Sequence, residues 1–408
     1  MTVLGRRALL GTAASAGFVH RARAQSPGIR IGVLTALSGE YTDAAGGGSV
    51  IAAKLAVEDF VREHKPSFRI DILSGDMLDK PDVGLAVARG WFDADAVDMI
   101  SDVPNSAIAL AVSGLVKERD KVVQISAGSS TVTGQYCTPN SMQLAYNTYA
   151  LGKVTGSALY RQGGKTWSFI SADYAFGQAL VQDTANTITG LGGKVLGNAR
   201  FPFPSNGDFS SYLLQAQATG ADVIAMATAG GDTTNAIKQA HEFGLIGGRQ
   251  RVVGLLTLIT NIHALGLDQA QGLIYSDPFY WDSNDATRAF SARFQPQWRD
   301  LKPSEDHAGV YAGVIHYLKA VQAIGVDKAR ASGRAAMEQM KRMPTDDAVF
   351  GKGAVRPDGQ MVHDMHLWQV KSPKESKSPW DYSRLLATVP ATEAFIPLSQ
   401  STCAAARG

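Results

Sequence analysis

Only two cysteines occur in 408 residues, at positions 137 and 403. That is too few for a disulfide-rich scaffold or a zinc site built on thiolates. An excess of one charge is also missing: 39 Lys+Arg face 37 Asp+Glu, a net of +2. A nucleic-acid binder needs a basic face, and no Lys/Arg cluster supplies one. Beyond the N-terminus no uncharged apolar run reaches the roughly 18 residues of a membrane-spanning helix. Enzyme signatures are scarce as well. No Gly-x-Ser-x-Gly elbow is present, which excludes the usual exported esterase. Gly164-Lys165-Thr166 resembles the end of a phosphate-binding loop, but Leu159 stands where that loop needs glycine and a strand follows where a helix should. Gly46-x-Gly48 lacks its third glycine, since position 51 is Ile. His363 and His366 lie in a strand-like stretch, where a spacing of three sends the rings to opposite faces, so they read as a surface pair. No nucleophile–base pair follows from spacing. The expectation is a non-enzyme with no metal and no cofactor.

What remains is a well-filled globular chain. Hydrophobic residues make up 45% and charged residues 19%, which rules out disorder. The length suits two or three domains. The start is an address: Arg6-Arg7, an apolar run from Ala8 to Val19, then Arg21-Ala-Arg23-Ala24. A basic start, a short apolar run and an Ala-x-Ala ending describe a secretory signal over 1–24, and the paired arginines resemble a twin-arginine leader. Cleavage is expected after Ala24, with the mature chain in the periplasm. Removing the leader's four arginines turns the net charge of +2 into −2. The compartment is oxidising, so the two cysteines can pair.

From Ile29 the chain alternates short apolar β-rich runs with 12–17-residue helical patterns, the mark of parallel sheets with right-handed crossovers. Strands fall at 29–35, 68–73, 97–101 and 121–126. The pattern restarts with strands at 166–171, 194–201, 222–227 and 251–256. That makes two α/β units of about 120 residues. Two further helices (285–294, 307–324) and a tail of short strands complete them.

The polar residues collect just after strands, where parallel sheets bind ligands. Asn105-Ser106 opens a helix whose free N–H groups suit a carboxylate, although either residue also serves as a plain N-cap. Gly128-Ser129-Ser130 follows the next strand. The second unit offers Tyr174 and Phe176 in one loop, and Gly230 with Asp232 in another. Two such lobes facing each other can enclose a small ligand by hinge closure.

At these residues the sequence resembles the exported solute-binding proteins of ABC importers, in the branched-chain amino-acid class. The likeness is carried by Ile29–Gly39, Ala52–Glu58, Asp173–Gly177, Asp208–Gln217, Gly230–Ala240 and the tail Lys371–Leu398, and spans about Gly28 to Cys403. It implies an α/β fold of the type I periplasmic binding protein, with two doubly wound parallel-sheet lobes joined by three crossovers. Lobe 1 is expected from 28–147 plus 277–345, lobe 2 from 148–276 plus 346–408. The family's carboxylate ligands match Asn105 or Ser106 and Gly128 to Ser130. Its hinge aromatic matches Tyr41 and its second-lobe tyrosine Phe176.

Two departures shift the expected ligand. Ala229 or Gly230 replaces a second tyrosine, leaving room for something larger and flatter. Leu256 or Thr257 replaces the glutamate that neutralises an ammonium, and an enclosed ammonium without a counter-charge is costly. The nearest resemblance is to the branch that binds aromatic carboxylates, benzoate- or cinnamate-like. The ring is then expected among Tyr41, Tyr174, Phe176 and Tyr280. Branched-chain amino acids or amides, and a sensor role at a membrane receptor, stay open. The resemblance also implies a Cys137–Cys403 disulfide, an ABC permease of the inner membrane as partner, no nucleic acid, and a monomer.

Overall fold

The computed structural model describes residues 28–406, so the leader lies outside the described residues. The first unit runs β1 (Gly28–Thr35), α1 (Gly46–His64), β2 (Arg69–Asp76), α2 (Pro81–Asp93), β3 (Met99–Asp102), α3 (Ser106–Arg119), β4 (Val122–Gly128) and β5 (Ser141–Asn147). Its strands form one parallel sheet in the order β2-β1-β3-β4-β5. β3, β4 and β5 are buried at every position, which is why their sequences do not alternate. β5 escapes sequence analysis because Ser141, Gln143 and Asn147 interrupt its apolar residues. The Asn147 side chain caps the next helix and donates to Gln360, Ser141 bonds to Thr138, and the Gln143 amide donates to the Ser129 carbonyl while its backbone carbonyl accepts from Gln360.

The second unit runs α4 (Thr148–Arg161), β6 (Thr166–Ala172), α5 (Ala175–Gly190), β7 (Lys194–Phe201), α6 (Ser210–Ala218), β8 (Val223–Ala227), α7 (Gly230–Glu242) and β9 (Arg251–Gly254). Its parallel sheet has the order β7-β6-β8-β9. Short helices α8 (Ile259–Leu265) and α9 (Leu267–Ala270) lead to β10 (Ile274–Asp277). Helices α10 (Asp285–Phe294), α11 (Glu305–Ile324), α12 (Val326–Ala331) and α13 (Gly333–Arg342) then return to the first lobe. α11 is buried nearly all round and packs on α1, β4 and β5. Its approach to α1 is so close that a Cβ on Gly48 would lie 2.3 Å from the His307 Nε2.

The tail forms two small sheets. β11 (Pro344–Asp347), β12 (Gly351–Val355) and β13 (Met361–Val362) make an antiparallel sheet that bridges to β5 through Gln143 and Gln360. β14 (Met365–Val370) and β15 (Ser383–Val389) pair with β10 beside the second lobe. The chain therefore crosses between two doubly wound lobes three times: after β5, after β10, and between β13 and β14. The expected lobe boundary at 345/346 falls inside β11. Cys137 and Cys403 are joined in a disulfide, which pins the tail to the first lobe.

His363 and His366 do not form a surface pair. His363 is buried, stacked flat on Phe350, with its ring nitrogens facing the Asp364 and Leu144 carbonyls. Among the described residues no helix is long and apolar enough to cross a membrane.

Candidate ligand cleft

The loops that leave the carboxyl ends of the strands in both lobes meet around a cavity of about 10 Å³, closed down to the size of a single water. Small-molecule sites usually offer roughly 300–1,000 Å³, so a ligand enters here only as the lobes part. Lobe 1 contributes Tyr41 and Ala44 after β1, Pro104 after β3, Gly128 after β4 and Tyr146 from β5. Lobe 2 contributes Tyr174 and Phe176 after β6, Ala229 after β8, and Leu256 and Leu258 after β9. Asp306, in the first turn of α11, completes the wall. The loop before Pro104 holds Asp102 and Val103 at φ 84° and 53°, a conformation that L residues seldom adopt and that clusters at ligand sites.

Two contacts clasp the lobes across this cavity. The Tyr41 and Tyr174 hydroxyls share a short hydrogen bond, and Phe203 stacks on both rings, with centroids 5.8 Å from Tyr41 and 4.2 Å from Tyr174. Burial, and then each other, pushes the Tyr41 phenol well above its ordinary range, so it stays neutral. The second clasp is Glu40. Its carbonyl accepts from the Gly231 N–H at 3.2 Å, and its carboxyl rests at the amino end of α7, where burial raises it above its ordinary range and the Asp232 N–H offsets part of that rise. A Cβ on Gly230 would meet the Glu40 carbonyl at 2.2 Å, and one on Gly231 would meet its carboxylate at 2.6 Å. The Gly230-Gly231 pair thus makes room for Glu40, not for a larger ligand. The residue on the cleft wall there is Ala229.

The electrostatics of the site are one-sided. Asp102 is wholly buried, which lifts its carboxyl to about 6. Asp277, at the end of β10, is lifted by burial to about 7 and faces Glu305. Glu305 and Asp306 are raised well above the carboxylate range, first by burial and then by neighbouring carboxyls. Across the cleft mouth, burial lifts Asp79 to about 6 and Asp232 to about 7. His307 is no counter-charge: burial drops it to about 4, and its Nε2 is held by the Ala45 carbonyl. The position occupied by Leu256 is apolar, yet the cleft has a carboxyl after all, from Asp306 in the other lobe.

The expected site residues divide into two groups. Tyr41, Gly128, Tyr174, Phe176 and Leu256 line the cavity. Gly230 lines the outer mouth beside Glu40, and Asp232 takes a hydrogen bond from Ser205 behind it. The others are engaged elsewhere. Asn105 caps α3, accepting from the Ala107 and Ile108 N–H groups. Ser106 Oγ accepts from the Ser129 N–H at 3.0 Å, just behind Gly128. The Ser129 hydroxyl turns to Thr131, and Ser130 bonds to Thr148 and Asp183. Thr257 bonds to the Gly254 carbonyl. Tyr280 packs on Trp368 and ties the Trp380–Ser383 strand, away from the cleft.

Sequence analysis missed Ala44, Pro104, Tyr146, Leu258 and Asp306. Tyr146 lay on the unrecognised β5. Asp306 resembles an ordinary acid in a helix first turn. The available signal was the helix behind it, apolar at every position from Ala308 to Ile315 and so without a solvent side over the turns that follow the acid.

Comparison with known proteins agrees with the two-lobed fold. The family model described as "Periplasmic binding protein" matches residues 28–377. A periplasmic binding protein from Burkholderia mallei is 42% identical, covering 93% of this chain and 99% of its own, with a TM-score of 0.88. A branched chain amino acid ABC transporter periplasmic ligand-binding protein from Burkholderia xenovorans is 39% identical, covering 93% and 100%, at a TM-score of 0.81. A solute binding protein of an ABC transporter from R. palustris, solved in complex with benzoate, shares the fold at 18% identity and a TM-score of 0.78, covering 92% and 99%. Comparison with curated proteins returned no match.

Proposed function

The chain belongs to the periplasmic binding protein family, and on that premise we propose that it captures a small aromatic carboxylate between its lobes and delivers it to an ABC importer. The observation that carries this reading is the wall of the cleft. Four aromatic rings, those of Tyr41, Tyr146, Tyr174 and Phe176, surround a small cavity otherwise lined mainly by Ala, Pro and Leu. Such walls suit a flat ring admitted as the lobes part, and each well-placed ring contact adds about 0.5–1.5 kcal/mol beyond burial. The fold accommodates such acids elsewhere, as the benzoate complex from R. palustris illustrates. The carboxylate lies toward Gly128 and the Ser106 hydroxyl behind it. Hinge closure brings Tyr174 and Phe176 over the ring. The protein works in the periplasm as a monomer after cleavage near Ala24, with an inner-membrane permease as its partner.

Calorimetric titration of ligand-stripped protein tests this. Benzoate- and cinnamate-type acids should bind and leucine should not; tight leucine binding with no heat from any aromatic acid would sink the reading. A branched-chain amino acid is the second reading, favoured by Asp306, whose carboxyl can meet an ammonium, and by the relative from Burkholderia xenovorans.

The clasp gives a further expectation. Tyr41→Phe keeps the ring but strands the buried Tyr174 hydroxyl. Losing one buried hydrogen bond of about 1 kcal/mol or more should weaken ligand binding about fivefold to tenfold. Fluorescence transfer between dyes on the two lobes should show more open molecules; an unchanged distance distribution and affinity would remove the clasp from the mechanism.

A further inference from the structure

Four carboxyls, those of Asp102, Asp277, Glu305 and Asp306, converge behind the cleft, and burial is the largest influence on each of them. The remaining influences are hydroxyls, backbone N–H groups and the other carboxyls, with no lysine or arginine among them. Three of the four serve the fold or each other. Asp277 accepts from the Phe279 N–H at 2.7 Å and faces Glu305, an arrangement that requires a shared proton. Asp102 sits among the Thr35, Ser49 and Ser126 hydroxyls. Asp306 differs in its place: it alone of the four lines the cavity. It is 5% exposed, the Tyr146 hydroxyl interacts with its carboxyl, and its Oδ1, like both oxygens of Asp102 and Glu305, has no hydrogen-bond partner. Among the described residues no group of three or more His, Cys, Asp or Glu is placed to hold a metal ion, so the cluster has no metal geometry to explain it.

We propose that Asp306 is the receptor for a hydrogen-bond donor on the ligand, a ring hydroxyl or an amine, so that the preferred solutes are hydroxy- or amino-substituted aromatic acids over the unsubstituted acid. The selection of a substituted ring rests on the aromatic reading of the cleft; the donor requirement itself does not. The Tyr41 and Tyr174 hydroxyls are spent on each other, the Tyr146 hydroxyl is turned to the Asp306 carboxyl but leaves Oδ1 bare, and most of the remaining wall is apolar. An O–H or N–H brought by the ligand satisfies the bare Oδ1, whereas a ligand without one leaves a buried acceptor unpaired. Sites built this way reject the analogue that lacks the donor.

The test is titration of ligand-stripped full-length protein with benzoate, every positional isomer of hydroxybenzoate and aminobenzoate, phenylalanine and leucine. At least one hydroxy or amino isomer should bind about tenfold or more tighter than benzoate. Asp306→Ala should bring that ratio to within about twofold by lowering affinity for the substituted acid and sparing benzoate. Asp306→Asn, which keeps the volume, should reduce the ratio several-fold and serves where the alanine variant does not fold. Equal binding of benzoate and all its derivatives to the natural protein overturns the inference, as does a ratio unchanged in both variants. If leucine binds and no aromatic acid does, the aromatic reading fails alone. Loss of leucine affinity in Asp306→Ala then upholds a donor at Asp306, and unchanged affinity overturns it. Binding of nothing in the panel overturns both.

Discussion

Replacing Cys137 and Cys403 together by serine should lower the stability of the folded protein by about 2–5 kcal/mol. The two residues are 266 positions apart, so the cross-link removes a very long loop from the unfolded ensemble. Loop-closure entropy for that length comes to about 5.6 kcal/mol, and measured values usually fall below the model. The cross-link also has a local effect. It fastens the last residues, which otherwise hold by Ser401 packed near Asp358 and by short turns, to the loop after β4. Denaturant unfolding with and without reductant checks this. The natural protein should lose stability on reduction and the double variant should not respond. Superimposable curves for reduced and oxidised natural protein would show that the tail is held by packing alone.

The second large effect is a fall in stability as pH rises from about 6.5 to 8. Asp232 and Asp277 are raised to about 7 in the folded protein, chiefly by burial. Asp102 and Asp347 are raised to about 6 for the same reason. A carboxyl with a raised folded value keeps its proton in the folded state after the unfolded chain, near 4, has released it. Folding is therefore favoured at low pH and loses that advantage as pH climbs through the folded values. A tenfold difference in proton affinity between the folded and unfolded states corresponds to about 1.4 kcal/mol, so Asp102 on its own accounts for as much as about 3 kcal/mol between pH 4 and 7, nearly all of it below pH 6.5, and the loss above that comes from the groups with higher folded values. Buried His307, His316 and His363 are lowered and act in the opposite sense. Unfolded histidine is half protonated at its ordinary value of about 6.5, so this opposing gain runs on to about pH 7.5 and offsets part of the fall. The carboxyls outweigh it between about pH 6.5 and 8 because Glu305 and Asp306, raised well above the carboxylate range, add to Asp232 and Asp277 there. Thermal melts across that interval should show a falling midpoint, and Asp277→Asn should flatten the fall. A midpoint that rises from pH 6.5 to 8 would contradict the assignment.

The alternation of strands and helices was legible because parallel strands buried on both faces leave continuous apolar runs. β1, β6 and β8 are read directly from Ile29–Thr35, Thr166–Ser171 and Asp222–Ala227. β5 was not, because the Asn147 side chain and the Gln143 backbone carbonyl are met by Gln360, which lies more than 200 residues away. Nothing local announces such a partner. The cleft was legible where a loop follows a recognised strand, as at Tyr41, Gly128 and Tyr174. It was illegible where a residue's role depends on the other lobe. Gly230 and Gly231 look like open space in sequence but are filled by Glu40. Tyr280, expected around a ring, instead holds the tail through Trp380 and Ser383. Ser129 and Ser130, expected on a carboxylate, are drawn toward Thr131, Thr148 and Asp183.

Glu40 touches the far lobe without lining the cavity. Its contact with the amino end of α7 biases the two lobes by one fixed amount whatever solute lies between them. Apparent affinity scales with the fraction of molecules in the binding-competent arrangement. A change at position 40 should therefore multiply every dissociation constant by the same factor and leave their ratios untouched. The concentration range over which the protein responds and the order in which it ranks its solutes are governed by different residues. Descendants of this sequence can follow a richer or poorer environment by altering one loop, without disturbing what the pocket recognises.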